Sequence, residues 1–134
     1  MSEKLERSIE ELTREDRRFP PGAYLLVFEG LEVALSRLPH RRHVAPRELL
    51  EGIRDAALDQ WGFLARTVLE SWNVRCTGDL GDIVFNLIKR GLLVAGDEDN
   101  QSQFVDVFAF RDGFDDLFLD RLERQPPRVV AARV

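Results

Sequence analysis

Residues 77–110 read TGDLGDIVFNLIKRGLLVAGDEDNQSQFVDVFAF, and this stretch decides the predicted fold. Its first part places apolar residues at helical spacing; Thr77 is a suitable N-cap at its start, and Gly91 suits its end. Two short apolar segments follow, and a polar run separates them. Such a pattern is typical of a β-hairpin, so we predict strands over Leu92–Ala95 and Phe104–Phe110.

Helical periodicity also runs through the chain on both sides of this stretch. Apolar residues recur at helical spacing, and prolines or capping residues mark where the segments begin. In chain order, the predicted helices run from Ser2 to about Asp16, from Pro20 or Pro21 to Pro39, from Pro46 to Gly62, over about residues 64–72 and over about Phe114–Glu123. Gly30 lies inside the second of these helices, where it predicts a close helix crossing.

The length of the chain suits one domain, which we place over residues 1–123. Within it, residues 1–45 form an N-terminal helical part, residues 46–110 carry the hairpin, and residues 111–123 form a closing helix. The segment over residues 124–134 has no helical periodicity and is rich in proline and arginine. We therefore expect a flexible tail there.

From Pro46 to Phe110 the predicted order is helix, helix, turn, helix, strand, loop, strand. This order resembles the winged-helix group of helix-turn-helix domains, with Asp79–Arg90 at the position of the recognition helix and residues 96–103 as the wing. The predicted fold class is therefore α+β, mainly α. It is a helical bundle with a winged-helix-like unit of three helices and a β-hairpin.

A second resemblance covers about residues 1–123. The run RHVAPRELLEGI at 42–53, the run DLGDIVFNL at 79–87 and the phenylalanine-rich strand with Asp106 are similar to an uncharacterised family of small bacterial proteins. The resemblance implies a fold shared along the chain. It implies no activity and no catalytic residue.

A basic segment at residues 37–47 is the candidate anion-binding site. It contains no acidic residue, and its basic residues are Arg37, His40, Arg41, Arg42, His43 and Arg47. The segment leads into a helix N-terminus, whose free N–H groups also favour anions. It predicts a contact with phosphate, nucleotide or nucleic acid. The alternative is a solvated loop whose arginines pair with acids elsewhere in the chain.

No motif of nucleophilic, P-loop or dinucleotide-binding chemistry occurs in the sequence, so we predict that the protein is not an enzyme and has no cofactor. His40 and His43 with Cys76 fall short of a four-ligand zinc site, so no metal site is predicted. A single cysteine fits a reducing cytoplasm. No apolar run approaches the length needed to span a bilayer, so we expect no membrane partner.

The helix Asp79–Arg90 presents a candidate interface. Phe85 lies about 120° from the centre of the apolar stripe, on the 100° per residue rule, so either the N-terminal part covers it or it is an exposed aromatic beside Asn86 and Lys89. The same helix also carries Asp79 and Asp82 outside its stripe, and the chain has a net charge of −5. Reading of DNA through this helix is therefore disfavoured.

Two function classes remain from the sequence. The first is a non-enzymatic protein-interaction module on a winged-helix-like scaffold, with a protein as partner. The alternative is a nucleic-acid or phosphate-ligand binder that uses the Arg37–Arg47 loop. The sequence leaves the oligomeric state open.

Overall fold

A computed structural model of the protein describes residues 2–96 and 98–125, and every regular element in this part of the chain is helical. The α-helices are α1 Glu3–Glu15, α2 Pro21–Ser36, α3 Pro46–Trp61, α4 Ala65–Ser71, α5 Thr77–Lys89 and α6 Leu117–Arg124. Short 3₁₀ turns lie at Gly62–Leu64 and Gln101–Phe104, and a π-helical turn over Arg111–Asp116 runs into α6. None of these helices combines the length and the apolar character needed to cross a membrane.

The predicted helix starts are confirmed for the first three helices. The Ser2 side chain accepts a hydrogen bond from the Leu5 N–H at 3.2 Å, as an N-cap does. Pro21 and Pro46 each occupy the first position of a helix, where the missing N–H is no loss. Gly62 follows α3 with a φ of +54°, a region in which glycine is favoured.

The start of α5 differs from the prediction. Cys76 is the extended residue before the helix, and Thr77 is its first helical residue. The Thr77 side chain is buried and its hydroxyl accepts a hydrogen bond from the Val107 N–H at 3.1 Å. Thr77 therefore anchors a distant segment of the chain, and its prediction as an N-cap is wrong.

The helices α2 and α3 form the centre of the fold, and their backbones touch. A Cβ atom added to Gly30 of α2 would lie 2.5 Å from the Cα atom of Ile53 in α3. A Cβ atom on Gly52 would run into the Gly30 carbonyl oxygen. The close crossing predicted at Gly30 is confirmed. One face of α2 is buried, and Tyr24 and Val27 on it are fully enclosed.

The predicted β-hairpin is wrong, and with it the α+β fold class and the winged-helix-like unit. Within residues 2–96 and 98–125 there is no strand at Leu92–Ala95 or at Phe104–Phe110, and no wing at 96–103. The Phe104–Phe110 segment cannot stay extended because Asp106 takes a φ of +53°. A side-chain hydroxyl, on Thr77, takes the Val107 N–H that a sheet partner would have used.

The closing helix predicted within residues 111–123 is confirmed, and its helical structure begins ahead of Phe114, where the apolar pattern places its start. Helical structure runs from Arg111 to Arg124, including the π-helical turn. The Phe114 ring is buried and packs edge-on against Phe110, with ring centroids 4.9 Å apart. Arg124, which the sequence assigns to the flexible tail, is the last residue of α6. Residues 126–134 of that tail lie outside the described residues.

Candidate functional site

An apolar groove of about 260 Å³ lies between α2, α3, α5 and residues 92–96 and 98–104, which we call the segment 92–104. Its walls include Leu31 and Leu35 from α2, Leu49 from α3, and Val84 and Ile88 from α5; Val94 lines it from the segment 92–104. Two of these side chains are unusually open to solvent, since Leu35 is 47% exposed and Val94 is 81% exposed. Exposed apolar side chains beside a concave apolar lining make this groove the candidate interaction site.

The segment 92–104 forms one wall of the apolar groove because α5 holds it at both ends. Gly91, with a φ of +77°, turns the chain back, and the Leu92 N–H bonds to the Leu87 carbonyl at 2.9 Å. At the far end, Phe104 packs so closely on Gly81 that an added Cβ atom would lie 2.5 Å from the Cβ of Phe104. Phe85 then meets the Phe104 ring edge-on at 6.0 Å.

The basic loop, residues 37–47, borders the apolar groove through Arg42 and His43. The hydrogen bonds of Arg42 fix the shape of this loop. Arg42 donates two hydrogen bonds to the Glu48 carboxylate, at 2.8 and 2.9 Å, and one to the His43 carbonyl at 2.9 Å. Glu48 also accepts the Ala45 N–H at 2.9 Å, which caps α3. These hydrogen bonds therefore hold the basic loop against the start of α3.

The pKa of Glu48 reflects its hydrogen bonds to the basic loop. The hydrogen bonds from Arg42, and then the Ala45 N–H, lower the pKa of Glu48 from its usual 4.5 to about 2. A carboxyl with a depressed pKa in the folded state stabilises the fold above its unfolded pKa, and that contribution is lost as the pH falls. We expect the loss between about pH 4.5 and pH 2.

A carboxyl-detected NMR titration of Glu48 checks this prediction. Arg42→Gln is expected to return the pKa of Glu48 towards its usual value, because the largest cause of the shift is gone. Arg41→Gln is the matched control, since Arg41 makes no hydrogen bond to Glu48. An unchanged Glu48 titration in Arg42→Gln would refute the role of Arg42.

The other residues of the predicted anion site do not converge. Arg37 pairs with Asp55 at 2.6 Å and Arg47 with Glu51 at 3.9 Å, whereas Arg42 pairs with Glu48. These ion pairs fit the alternative interpretation of a solvated loop with local partners. His40 and Arg41 are exposed, and no hydrogen bond or ion pair joins them to another residue in the described ranges. His43 borders the apolar groove. Anion binding by this loop stays a prediction.

The three interface candidates on α5 have different surroundings. Phe85 is half-buried, and the ring of Phe104 covers it. Asn86 donates to Asp16 at 3.0 Å and to the Tyr24 hydroxyl at 3.1 Å, so its amide is used inside the fold. Lys89 is exposed near the end of the helix.

The acids on α5 also have partners within the molecule. Arg18 bridges Asp16 and Asp82, at 2.8 and 2.9 Å, and Gln101 donates to Asp82 as well. Hydrogen bonds from Arg18 hold the pKa of Asp16 well below its usual range; burial opposes the shift, and Asn86 adds to it. Asp79 accepts the Arg75 N–H at 2.9 Å. This face joins α5 to the N-terminal part of the chain.

Sequence reasoning missed the apolar groove. Leu31 and Leu35 are among the apolar residues that recur at helical spacing in the second predicted helix, and Val94 lies in a segment expected to be a strand. The signal that was present is the width of the apolar stripe on α2, which exceeds what one neighbouring helix covers. The path of the segment 92–104, which decides which side chains stay open, follows from contacts with distant residues.

No three side chains of His, Cys, Asp or Glu within the described ranges are placed to hold a metal ion. Comparison of the chain with protein-family models, curated proteins and solved structures finds no match. The resemblance of about residues 1–123 to an uncharacterised family of small bacterial proteins stays a prediction. The geometry of the apolar groove is therefore the basis on which a function is argued.

Proposed function

We propose that the protein is a non-enzymatic protein-interaction module whose apolar groove binds an amphipathic helix of a partner protein. The observation that carries the proposal is the exposure of Leu35 and Val94, at 47% and 81%, beside a continuous apolar lining. Covering these side chains gains about 25 cal/mol for each Å² of apolar surface removed from water. The groove supplies a driving force for association that the isolated chain leaves unused.

A helix is the occupant that suits the walls of the groove. Three helices, α2, α3 and α5, supply about half of its lining, and the described part of the chain offers no strand edge to which an extended peptide could add. Its volume of about 260 Å³ falls below the ~300–1,000 Å³ typical of small-molecule sites. A few side chains from one face of a helix fill such a space.

The rim of the groove gives the partner helix a charge and a direction. His43 lines the groove, and the exposed His40 and Arg41 belong to the same loop; no carboxylate in the described residues forms an ion pair with these three side chains. Asp99, which accepts the Gly96 N–H at 2.8 Å, also lines the groove close to His43 and offsets part of the positive charge there. Opposite charges across an interface fix its register. We therefore assign to the partner helix an acidic end that lies against the basic loop.

The alternative of a phosphate or nucleic-acid ligand at the basic loop has less support. The three arginines of the loop do not converge on one ligand, because Arg42 is paired with Glu48, Arg47 with Glu51 and Arg37 with Asp55. We place the module in the cytoplasm because its one cysteine, Cys76, is free and exposed.

Selection of helical peptides tests the proposal. From a displayed library of random peptides, the protein is expected to enrich sequences with apolar residues at i, i+3 or i+4 and i+7 and with acidic residues at one end. Leu35→Glu and Val94→Glu are each expected to lower the affinity for the selected peptides by about tenfold or more, because both changes put a charge into the groove. Fluorescence anisotropy measures the affinities.

Val105→Glu is the matched control for these variants. Val105 is 56% exposed and lies outside the groove, so the same change there is expected to leave peptide binding intact. Circular dichroism shows whether each variant is folded. Failure to enrich any peptide, or equal binding to Val94→Glu and the parent protein, would refute the proposal.

A further inference from the structure

Three arginines surround one buried carboxylate on the far side of α3. Asp55 is 5% exposed, and Arg54 on the same helix donates to it through Nε at 2.9 Å. Arg37, at the end of α2, donates to Oδ2 at 2.6 Å, and Arg121, on α6, donates to Oδ1 at 2.8 Å. We call Arg37, Arg54, Arg121 and Asp55 the arginine cluster.

The arginine cluster carries an excess of positive charge. One carboxylate stands against three guanidinium groups, and the pKa of Asp55 remains low: burial raises it, but the hydrogen bonds from Arg54, Arg37 and Arg121 outweigh burial. The Glu51 carboxylate lies 3.9 Å from the guanidinium groups of both Arg54 and Arg47. The charges of Glu51 and Arg47, which lie outside the cluster, therefore offset each other. Asp59 shares a cleft with Arg121 and reduces the excess without cancelling it.

Asp55 does not need all three arginines as hydrogen-bond donors. Arg54 alone contacts both of its oxygens, at 2.9 and 3.4 Å. Arg37 and Arg121 each use one N–H group on Asp55, and their side chains stay 52% and 43% exposed. Their remaining N–H groups have no acceptor among residues 2–96 and 98–125. Two guanidinium groups are thus held close together, with donors available to a ligand.

We propose that the arginine cluster binds a phosphate monoester dianion through Arg37 and Arg121. Asp55 and Arg54 position the two guanidinium groups, whose planar forks match the oxygens of a phosphate. This site differs from the basic loop, with which it shares only Arg37, and from the apolar groove.

The ligand is compact because Asp59 borders the cluster and the helix that carries Arg121 bears further acids. Asp116, Asp120 and Glu123 lie on or beside α6, close in sequence to Arg121, and Asp59 lies in the adjoining cleft. A long polyanion laid across the cluster would meet these carboxylates and be repelled. A single dianionic group can reach the two arginines without that cost.

Titration with inorganic phosphate, observed at the arginine Nε–Hε NMR signals, tests the proposal. Saturable shifts of Arg37 and Arg121 are expected, well beyond those from sodium chloride at equal ionic strength. Arg37→Gln and Arg121→Gln are each expected to weaken binding about tenfold, and Arg37→Lys to weaken it too, since lysine keeps the charge but not the fork. Arg66→Gln, which breaks a half-buried pair with Asp115 away from the cluster, is the matched control.

Two further ligands identify the source of the phosphate. If a phosphoserine peptide binds more tightly than inorganic phosphate and its serine form does not bind, the phosphate group belongs to a partner protein. If the phosphoserine peptide and inorganic phosphate bind with equal affinity, the ligand is a small free phosphate ester. Either result supports the site. Shifts no larger than those from chloride, losses equal in Arg66→Gln, or tighter binding of a single-stranded oligonucleotide would overturn it.

Discussion

Gly30→Ala is expected to lower the free energy of unfolding by about 3 kcal/mol, the upper end of what overpacking costs. The new Cβ atom would lie 2.5 Å from the Cα of Ile53 and 2.6 Å from its nitrogen. These are backbone atoms, so no rotation of a side chain can relieve the overlap, and α2 and α3 must move apart. A loss of this size is a large fraction of the ~5–15 kcal/mol that stabilises a typical domain. Urea denaturation followed by circular dichroism measures it.

Gly78→Ala supplies the matched control for that substitution. Gly78 also lies inside a helix, α5, but an added Cβ atom would lie 3.6 Å from the Cys76 sulfur, an ordinary contact. Because alanine favours the helix over glycine by up to about 1 kcal/mol, the variant is expected to be as stable as the parent or more stable. Equal stabilities of the two alanine variants would show that the helices can separate freely at Gly30.

Phe104→Ala is expected to cost about 3–5 kcal/mol, as truncations of buried aromatic residues do. Phe104 is 3% exposed, packs against Gly81 and supports the ring of Phe85. Its removal leaves a cavity at the end of the segment 92–104 and loosens a wall of the apolar groove. Thermal and urea denaturation measure the stability, and the selected peptides report the state of the groove.

The neighbouring residue provides the control for Phe104. Val105 is 56% exposed, so Val105→Ala is expected to change the stability by no more than about 0.5 kcal/mol. In the β-hairpin expected from the sequence, adjacent residues would have faced opposite apolar surfaces and both truncations would have been costly. Similar losses in the two variants would contradict the structure of this segment.

The helices could be predicted from the sequence because their signals are local. Apolar periodicity and the prolines at 21 and 46 specify where α2 and α3 begin, and the same residues decide the outcome in the fold. Gly30 also predicted a helix–helix contact, since a glycine inside an apolar helix indicates that another helix passes close by. In these cases the local preference and the packing agree.

The segment 104–110 was mispredicted because its apolar residues fit two structures. Phenylalanine and valine at short spacing favour a strand, and a short apolar run does not distinguish a strand from a buried irregular chain. The deciding contacts come from elsewhere: Gly81 admits Phe104 against α5, and the Thr77 hydroxyl binds Val107. Neither contact is visible in the segment itself.

The candidate sites were predictable only where their residues lie close in sequence. Arg42 and Glu48 are six residues apart, and the basic loop was recognised as a unit. The arginine cluster joins Asp55 to Arg121, 66 residues later, through the packing of α6 against the bundle. Long-range pairs of this kind depend on the arrangement of the helices and leave no local pattern.

In this molecule, the helices support the fold, whereas the segment 92–104, which follows an irregular path, shapes the surface that we propose binds a partner. Among its described residues, 92–96 and 98–104, no ladder of backbone hydrogen bonds sets the register, so an inserted or deleted residue there would reshape the mouth of the groove while Gly30 and Gly52 kept α2 and α3 in contact. Related chains could thus acquire different binding preferences by changing a few positions in one stretch, at little risk to folding.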